Sequence, residues 1–193
     1  MPGFRHPLPA PTKMFSVGRL NLRIYYGEMA RKSNTLPKLD RTDRRILQIV
    51  QRDGMLPQSA VAAKVGLSTA AVHERLKKLR AAGIIRRFVA LVDATAVGAT
   101  VTAFVEVFFE HPRFEPAFLE RVVKLDEVLE CHHITGEFSL LLKVRVRDMK
   151  ALQHLLLRQL GGQQGVRQTR TVMVLSTAKE ETYIDPGTEG DDR

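Results

Sequence analysis

The stretch that most restricts how this chain can fold is "VGLSTAAVHERLKKL", residues 65–79. Gly66-Leu67-Ser68 reads as a tight turn, and Ser68 is placed to cap the helix that follows by accepting a backbone N–H. On a helical wheel of about 100° per residue, Val72, Leu76 and Leu79 form one stripe. Ala70, His73, Glu74, Lys77 and Lys78 fall on the opposite side. So short a helix is marginal by itself, so the stripe must be laid against other helices. Its cationic side then faces outward.

The preceding residues supply those helices. "LDRTDRRILQIVQRDG" has Leu39, Ile46, Leu47, Ile49 and Val50 at helical spacing, Asp40 and Asp43 in the first turn, and Gly54 as a stop. "PQSAVAAKVG" is a second, shorter helix with Ala60, Val61 and Val65 facing inward. A short helix, a tight turn and a helix with a basic outer face make the helix-turn-helix pattern. Ser68, Thr69, Ala70, Ala71, His73, Glu74, Lys77 and Lys78 are the candidate DNA-binding residues. Small Ala70 and Ala71 allow close approach to base edges and thymine methyls, and His73 and Glu74 can hydrogen-bond bases. Lys77, Lys78 and Arg80 suit phosphates, which set affinity rather than sequence choice. The bland alternative is a solvated face of a small helical bundle.

Charge distribution favours the DNA reading. The net charge is +9. Residues 1–35 carry net +5, residues 36–90 net +8, and residues 91–193 net −4. Arg31, Lys32 and Lys38 form a basic arm before the first helix. After Gly83 a β-rich segment is expected over 84–92, with Arg86 and Arg87 either as a wing on the DNA backbone or as solvated strand residues.

The acidic half has a different rhythm. Strands are expected over 101–110, 128–134, 138–146 and 166–176, with helices in "EPAFLERVVKLDEV" and "DMKALQHLLLRQL". The order β-α-β-β-α-β is a ferredoxin-like sandwich, with two helices on one sheet face. Its open face invites a second copy, so a homodimer is expected. The fold class is therefore α+β: an N-terminal winged helix-turn-helix domain of three helices and a C-terminal ferredoxin-like domain. The expected divisions are an extension over 1–35, disordered or dispensable, with Met29 as the natural start; a DNA-binding domain over 36–90; a linker over 91–98; a dimerisation and effector domain over 99–183; and a disordered tail over 184–193.

Other chemistry finds little support. Cys131 is the single cysteine, so no intrachain disulfide forms, which fits a reducing cytoplasm. A compact apolar signal segment and a run long enough to span a membrane are both missing from the sequence. Cys131, His132 and His133 invite a metal reading, but strand alternation puts His132 on the other face, and His111 and His154 stand at no metal-site spacing. A metal and a cofactor are not expected.

"LDRTDRRIL", "VGLSTAAVHERLKKLRAAGII", "VLECHHITGEFSLLLKVRVRDM" and "GVRQTRTVMVLS", in that order, resemble the Lrp/AsnC (feast/famine) transcription regulators over about residues 39–182. The resemblance implies a nucleoid-associated DNA-binding regulator of amino-acid metabolism that dimerises and often builds octamers. It also implies a small effector, usually an amino acid, bound at clefts between dimers. The effector turn then maps to Thr135, Gly136, Glu137, Phe138 and Ser139. The family pattern has a second aspartate where this chain has Ser139, which removes a charge-assisted partner for an α-ammonium group. A plain tight turn is the alternative there. Two rival functions remain. One is a tetrapyrrole decarboxylase-like enzyme on the same two-domain fold, holding substrate carboxylates with Lys143, Arg145, Arg147 and the paired histidines. The other is an architectural protein that wraps DNA with little sequence choice.

Overall fold

The structure, a computed structural model, describes residues 38–187. The N-terminal extension, its start at Met29, Arg31 and Lys32 of the basic arm, and residues 188–193 lie outside the described residues. The described chain forms two compact units, one of residues 38–86 with 185–187 and one of residues 87–184.

In the first unit, α1 (Arg41–Arg52), α2 (Gln58–Val65) and α3 (Thr69–Ala81) enclose one core. Asp40 is the N-cap of α1 rather than a first-turn residue: its carboxylate accepts the Asp43 N–H at 2.7 Å, and the Asp43 carboxylate accepts the Asp40 N–H at 3.3 Å. This reciprocal box satisfies two amides that the first turn would leave unpaired. The helix ends at Arg52, before the expected glycine. Asp53 caps it in extended conformation and its carboxylate takes the Met55 N–H, so Gly54 is not the stop. In α2, Val61 and Ala62 are buried and Ala60 is only half-buried, a shift of the expected inward face. Gly66 then turns the chain with φ +69°, a conformation that side chains with a Cβ rarely adopt. The expected stripe is in place: Val72, Leu76 and Leu79 are all buried against α1 and α2.

The β-rich segment expected over 84–92 forms no ladder. Residues 86–92 are exposed and irregular, with Phe88, Val89, Leu91 and Val92 all open to solvent. Strand propensity is present, but a strand exists only where its N–H and C=O groups meet a neighbouring strand, and among the described residues none lies alongside.

The second unit is an antiparallel sheet with strand order β2-β3-β1-β4, built from β1 (Val101–Phe109), β2 (Val128–His133), β3 (Leu140–Val146) and β4 (Val166–Met173). α4 (Glu115–Val122) follows a 3₁₀ turn over Pro112–Phe114. α5 (Met149–His154) is extended by a π-helical turn over Leu155–Leu160. Ala103, Val105, Val107, Leu140, Leu142 and Val144 lie fully buried beneath Phe118, Val122, Leu152 and Leu155. The alternation over β1 and β3 was read correctly. Phe138 was not: it lies in the turn before β3, buried on the opposite face against Phe108.

Gly165 marks where the loop after α5 enters β4. Its φ is +82°, and a Cβ there would sit 2.1 Å from the Phe114 ring. Its carbonyl also accepts the Glu110 N–H at 2.9 Å, so the backbone cannot simply withdraw. Gly165→Ala is expected to destabilise the second unit by about 3 kcal/mol, combining left-handed strain with overpacking. Urea unfolding followed by circular dichroism measures this, and an unchanged midpoint would contradict it.

Candidate nucleic-acid interface and effector turn

The candidate interface begins with Ser68, whose hydroxyl accepts the Ala71 N–H at 3.2 Å and starts α3. Ser68, Thr69, Ala70, His73, Glu74, Lys77 and Lys78 are exposed, while Ala71 is half-buried. The eight predicted residues thus share the outer side of α3 and its cap. His73 Nδ1 lies 3.3 Å from Gln58 Oε1, which ties the first residue of α2 to the middle of that side.

Sequence reasoning missed the residue that orients the helix. Arg75 lies on the flank between the apolar stripe and the basic side. Its Nη1 donates to Asp40 at 2.6 Å and to Asp43 at 2.8 Å, the two carboxylates of the α1 capping box. The signal was available, since an arginine beside the stripe of one helix and an Asp-x-x-Asp box opening another suggest a partner pair. Partial burial opposes ionisation of Asp40, but the Asp43 amide and the Arg75 guanidinium outweigh it and hold the carboxyl below its ordinary value. Arg75 is pushed above its ordinary value by its hydrogen bonds to Asp40 and Asp43.

Arg75→Ala is expected to cost the first unit about 1 kcal/mol near neutrality, the scale of a partly exposed ionic network. Because the Asp40 pKa is depressed on folding, its contribution is present above the unfolded value of about 3.9 and is lost as pH falls through the folded value. The gap between wild type and variant should therefore narrow in acid below about pH 4. Chemical unfolding at several pH values checks the trend, and a pH-independent gap would reject the ionic cause.

The turn over 135–139, the candidate effector site, holds a different set of contacts. Thr135, Gly136 and Glu137 are exposed, Ser139 is half-buried, and Phe138 is 6% exposed. The Ser139 amide donates to the Val107 carbonyl at 3.0 Å, and the Ile134 amide donates to the Ser139 carbonyl at 3.1 Å, closing the turn onto β1. Phe138 meets Phe108 edge to face at 6.4 Å, and the Arg170 guanidinium covers its ring at 4.8 Å. Arg170 is ion-paired with Glu106, whose carboxyl its hydrogen bond holds below the ordinary range. Arg170, on β4, was absent from the sequence-based site because its strand is distant along the chain.

The residues behind the enzyme and metal readings are engaged elsewhere. Lys143 pairs with Glu180 and lies 3.5 Å from Glu130. Arg145 pairs with Glu180 at 3.2 Å and donates to Thr102 at 3.1 Å, and Arg147 pairs with Asp148 at 3.1 Å. His133 is hydrogen-bonded to the buried Glu115, and His132 lies 3.1 Å from Glu130. Burial first, and the Glu115 charge second, push the Cys131 thiol up to about 11, far from reactive thiolate. Among the described residues no three His, Cys, Asp or Glu side chains group as metal ligands, and no helix is long and apolar enough to cross a membrane.

Comparison with known proteins adds the family. Residues 39–86 match the winged helix-turn-helix DNA-binding family, and residues 102–184 match the Lrp/AsnC ligand binding domain. The chain is 38% identical over 148 residues to the leucine-responsive regulatory protein of Escherichia coli, covering 76% of this chain and 90% of that one. This chain belongs to the Lrp/AsnC family. It is a DNA-binding transcriptional regulator with a ligand-binding domain. Another relative, the HTH-type transcriptional regulator FL11 of Pyrococcus abyssi, is 35% identical over 146 residues, covering 76% of this chain and 95% of the relative. Among solved structures, a Neisseria meningitidis transcriptional regulator in complex with L-Met matches with a TM-score of 0.73 and 34% identity, over 76% of this chain and 96% of that one. Escherichia coli AsnC matches with a TM-score of 0.73 and 29% identity, over 78% and 100%. The basic side of α3 is exposed, while Lys143 and Arg145 are paired with Glu180.

Proposed function

We propose that this Lrp/AsnC regulator chooses among DNA sequences with the outer side of α3, and that an amino acid or related metabolite acts at residues 135–139. The observation that carries the reading is the division of α3 itself. Val72, Leu76 and Leu79 are buried, while His73, Glu74, Lys77 and Lys78 stand in solvent beside a capped helix start. Thr69, Ala70, Ala71 and Ser68 lie at that start, where base edges come nearest. Lys77 and Lys78 take phosphates. The protein works as a homodimer, placing two copies of α3 in major grooves about 34 Å apart, with dimers assembling toward an octamer. Exposed Phe88, Val89, Leu91, Val92 and Val172 are apolar surface for a second copy to cover. Its working location is the cytoplasmic nucleoid, where the DNA is.

The effector reading draws on the relative crystallised with L-Met. In this chain Glu137 faces an α-ammonium group, Arg170 stands within the same neighbourhood, and Ser139 offers only a neutral hydroxyl. Ser139→Asp is accordingly expected to raise affinity for a free α-amino acid about tenfold through a charge-assisted contact. Titration calorimetry with a panel of amino acids reads this out. A variant that binds no amino acid more tightly than wild type would reject the role given to Ser139.

Selection of duplexes from a random pool tests the DNA reading. His73→Ala should change the selected sequence, with a discrimination loss of about 1–3 kcal/mol at the affected base pair. Lys77→Ala should weaken binding to every duplex and flatten the dependence on salt. Equal losses on all sequences for both variants would instead support the architectural role, in which shape and charge alone are read.

A further inference from the structure

The first unit carries a second basic feature, apart from the outer side of α3. Arg41, Arg44, Arg45 and Gln48 of α1 follow one another at i, i+3, i+4 and i+7, so they share the side of the helix opposite buried Ile46, Leu47 and Val50. With Thr42 and with Lys64 of α2 they line a groove of about 640 Å³. The lining holds four cations, no carboxylate and a single large apolar side chain, Val65. Arg41, Arg45 and Lys64 are exposed. Arg45 reaches Gln48 at 3.3 Å, and none of the three has a carboxylate partner among the described residues. Elsewhere in this unit the pattern is the opposite, since Arg75 is held by two carboxylates. The chain itself fixes one wall of the groove: Arg44 donates to the Pro186 carbonyl, and Gly187 lies beside it.

We propose that this groove takes the phosphates of a second duplex segment, one other than the segment that α3 reads. The proposal rests on the DNA reading of this unit and adds a surface to it. Charge complementarity carries it. Exposed guanidinium and ammonium groups, set among the Thr42 hydroxyl and the Gln48 amide, are the side chains that hold phosphate oxygens. The lining offers no aromatic ring and only Val65 as an apolar anchor, so an acidic protein segment would find charge there but no pocket for a buried side chain. Direction separates the two basic surfaces. Ile46, Leu47 and Val50 enter from α1 the same core that Val72, Leu76 and Leu79 enter from α3. The groove and the outer side of α3 therefore face away from that core on two different helices, and a duplex seated on α3 leaves the groove open. Contacts to phosphate alone are indifferent to sequence. One unit thus reads one segment and grips another, which draws two stretches of DNA together.

Full-length wild type is compared with the full-length triple variant R41Q/R45Q/K64Q, in which glutamine removes charge but keeps helix propensity. Both are saturated with a short duplex of the sequence selected through α3, and a fluorescent duplex of random sequence is then titrated in. Wild type should bind this second duplex with a salt slope of about −2.7, for three phosphates at about 0.9 each, so that binding is about fortyfold weaker at 200 mM than at 50 mM salt. The triple variant should bind it about tenfold less tightly at 50 mM salt. Its retained affinity for the selected duplex shows that it folds. In wild type, acetylation of Lys64 by an N-hydroxysuccinimide ester, read by mass spectrometry, should slow about threefold only when the second duplex is added, because a paired phosphate shields the amine. Equal affinity of the two proteins for the second duplex overturns the proposal. Full protection of Lys64 by the selected duplex alone also overturns it, by placing the groove within the footprint of the segment that α3 reads. Intrachain carbodiimide links from Lys64 to the C-terminal acids, undiminished when the second duplex is present, overturn it in favour of the chain's own end. Failure of wild type to bind the selected duplex counts against the reading of α3, and the groove is then judged by the random-sequence duplex and Lys64.

Discussion

The first unit depends on the burial of three side chains. Val72, Leu76 and Leu79 each gain about 1.5–3 kcal/mol by leaving water, and they can do so only against α1 and α2. The Arg75 bridge to Asp40 and Asp43 contributes about 1 kcal/mol, so it does not decide whether α3 docks. It decides how α3 docks. An arginine held by two carboxylates at a helix start resists rotation of α3 about its own axis, a motion that apolar packing penalises less sharply. The base contacts proposed for α3 require such a fixed rotation. The weak interaction and the strong one thus have separate roles, one setting geometry and the other stability.

The second unit divides its sheet in a comparable way. One face is aliphatic and sealed by α4 and α5. The other carries Phe104, Phe108 and Leu141 among charged residues, and those charges meet within the chain: Glu106 with Arg170, and Lys143 and Arg145 with Glu180. Neutralised pairs cost less to cover than single charges. Lys143, Arg145 and Arg170 are thus held by carboxylates of their own chain.

Much of this was legible from residues 65–79 and from the alternation over β1 and β3, where one side chain in two or in three to four must be apolar. The errors have physical reasons. Asp40 and Asp43 suit a helix dipole whether inside the first turn or at the cap, so composition could not separate the two positions. Gly54 was an obvious stop, yet Asp53 ended α1 with its own carboxylate. Phe138 read as strand because it is aromatic and adjoins β3, but contacts with Phe108 and Arg170 hold it in the turn. The segment over 84–92 had strand composition and, among the described residues, no neighbour to pair with. The eight candidate residues on α3 and its cap could be proposed together because all lie within residues 68–78, whereas Arg170 meets Phe138 from a strand more than thirty residues away.

The amino-acid sequence by itself determined the helix-turn-helix, the βαββαβ order, the separation of positive and negative halves, and the family. All of these follow from local spacing and from motifs read along the chain. Tertiary structure decided that Arg75 braces α3, that Arg170, paired with Glu106, covers Phe138 in the turn over 135–139, that Glu180 occupies Lys143 and Arg145, and that α1 and α2 form a cationic groove beside Gly187. Each of these joins residues distant in sequence. Their energies depend on close approaches, such as 2.6 Å from Arg75 to Asp40 and 4.8 Å from Arg170 to the Phe138 ring, that only the folded chain establishes.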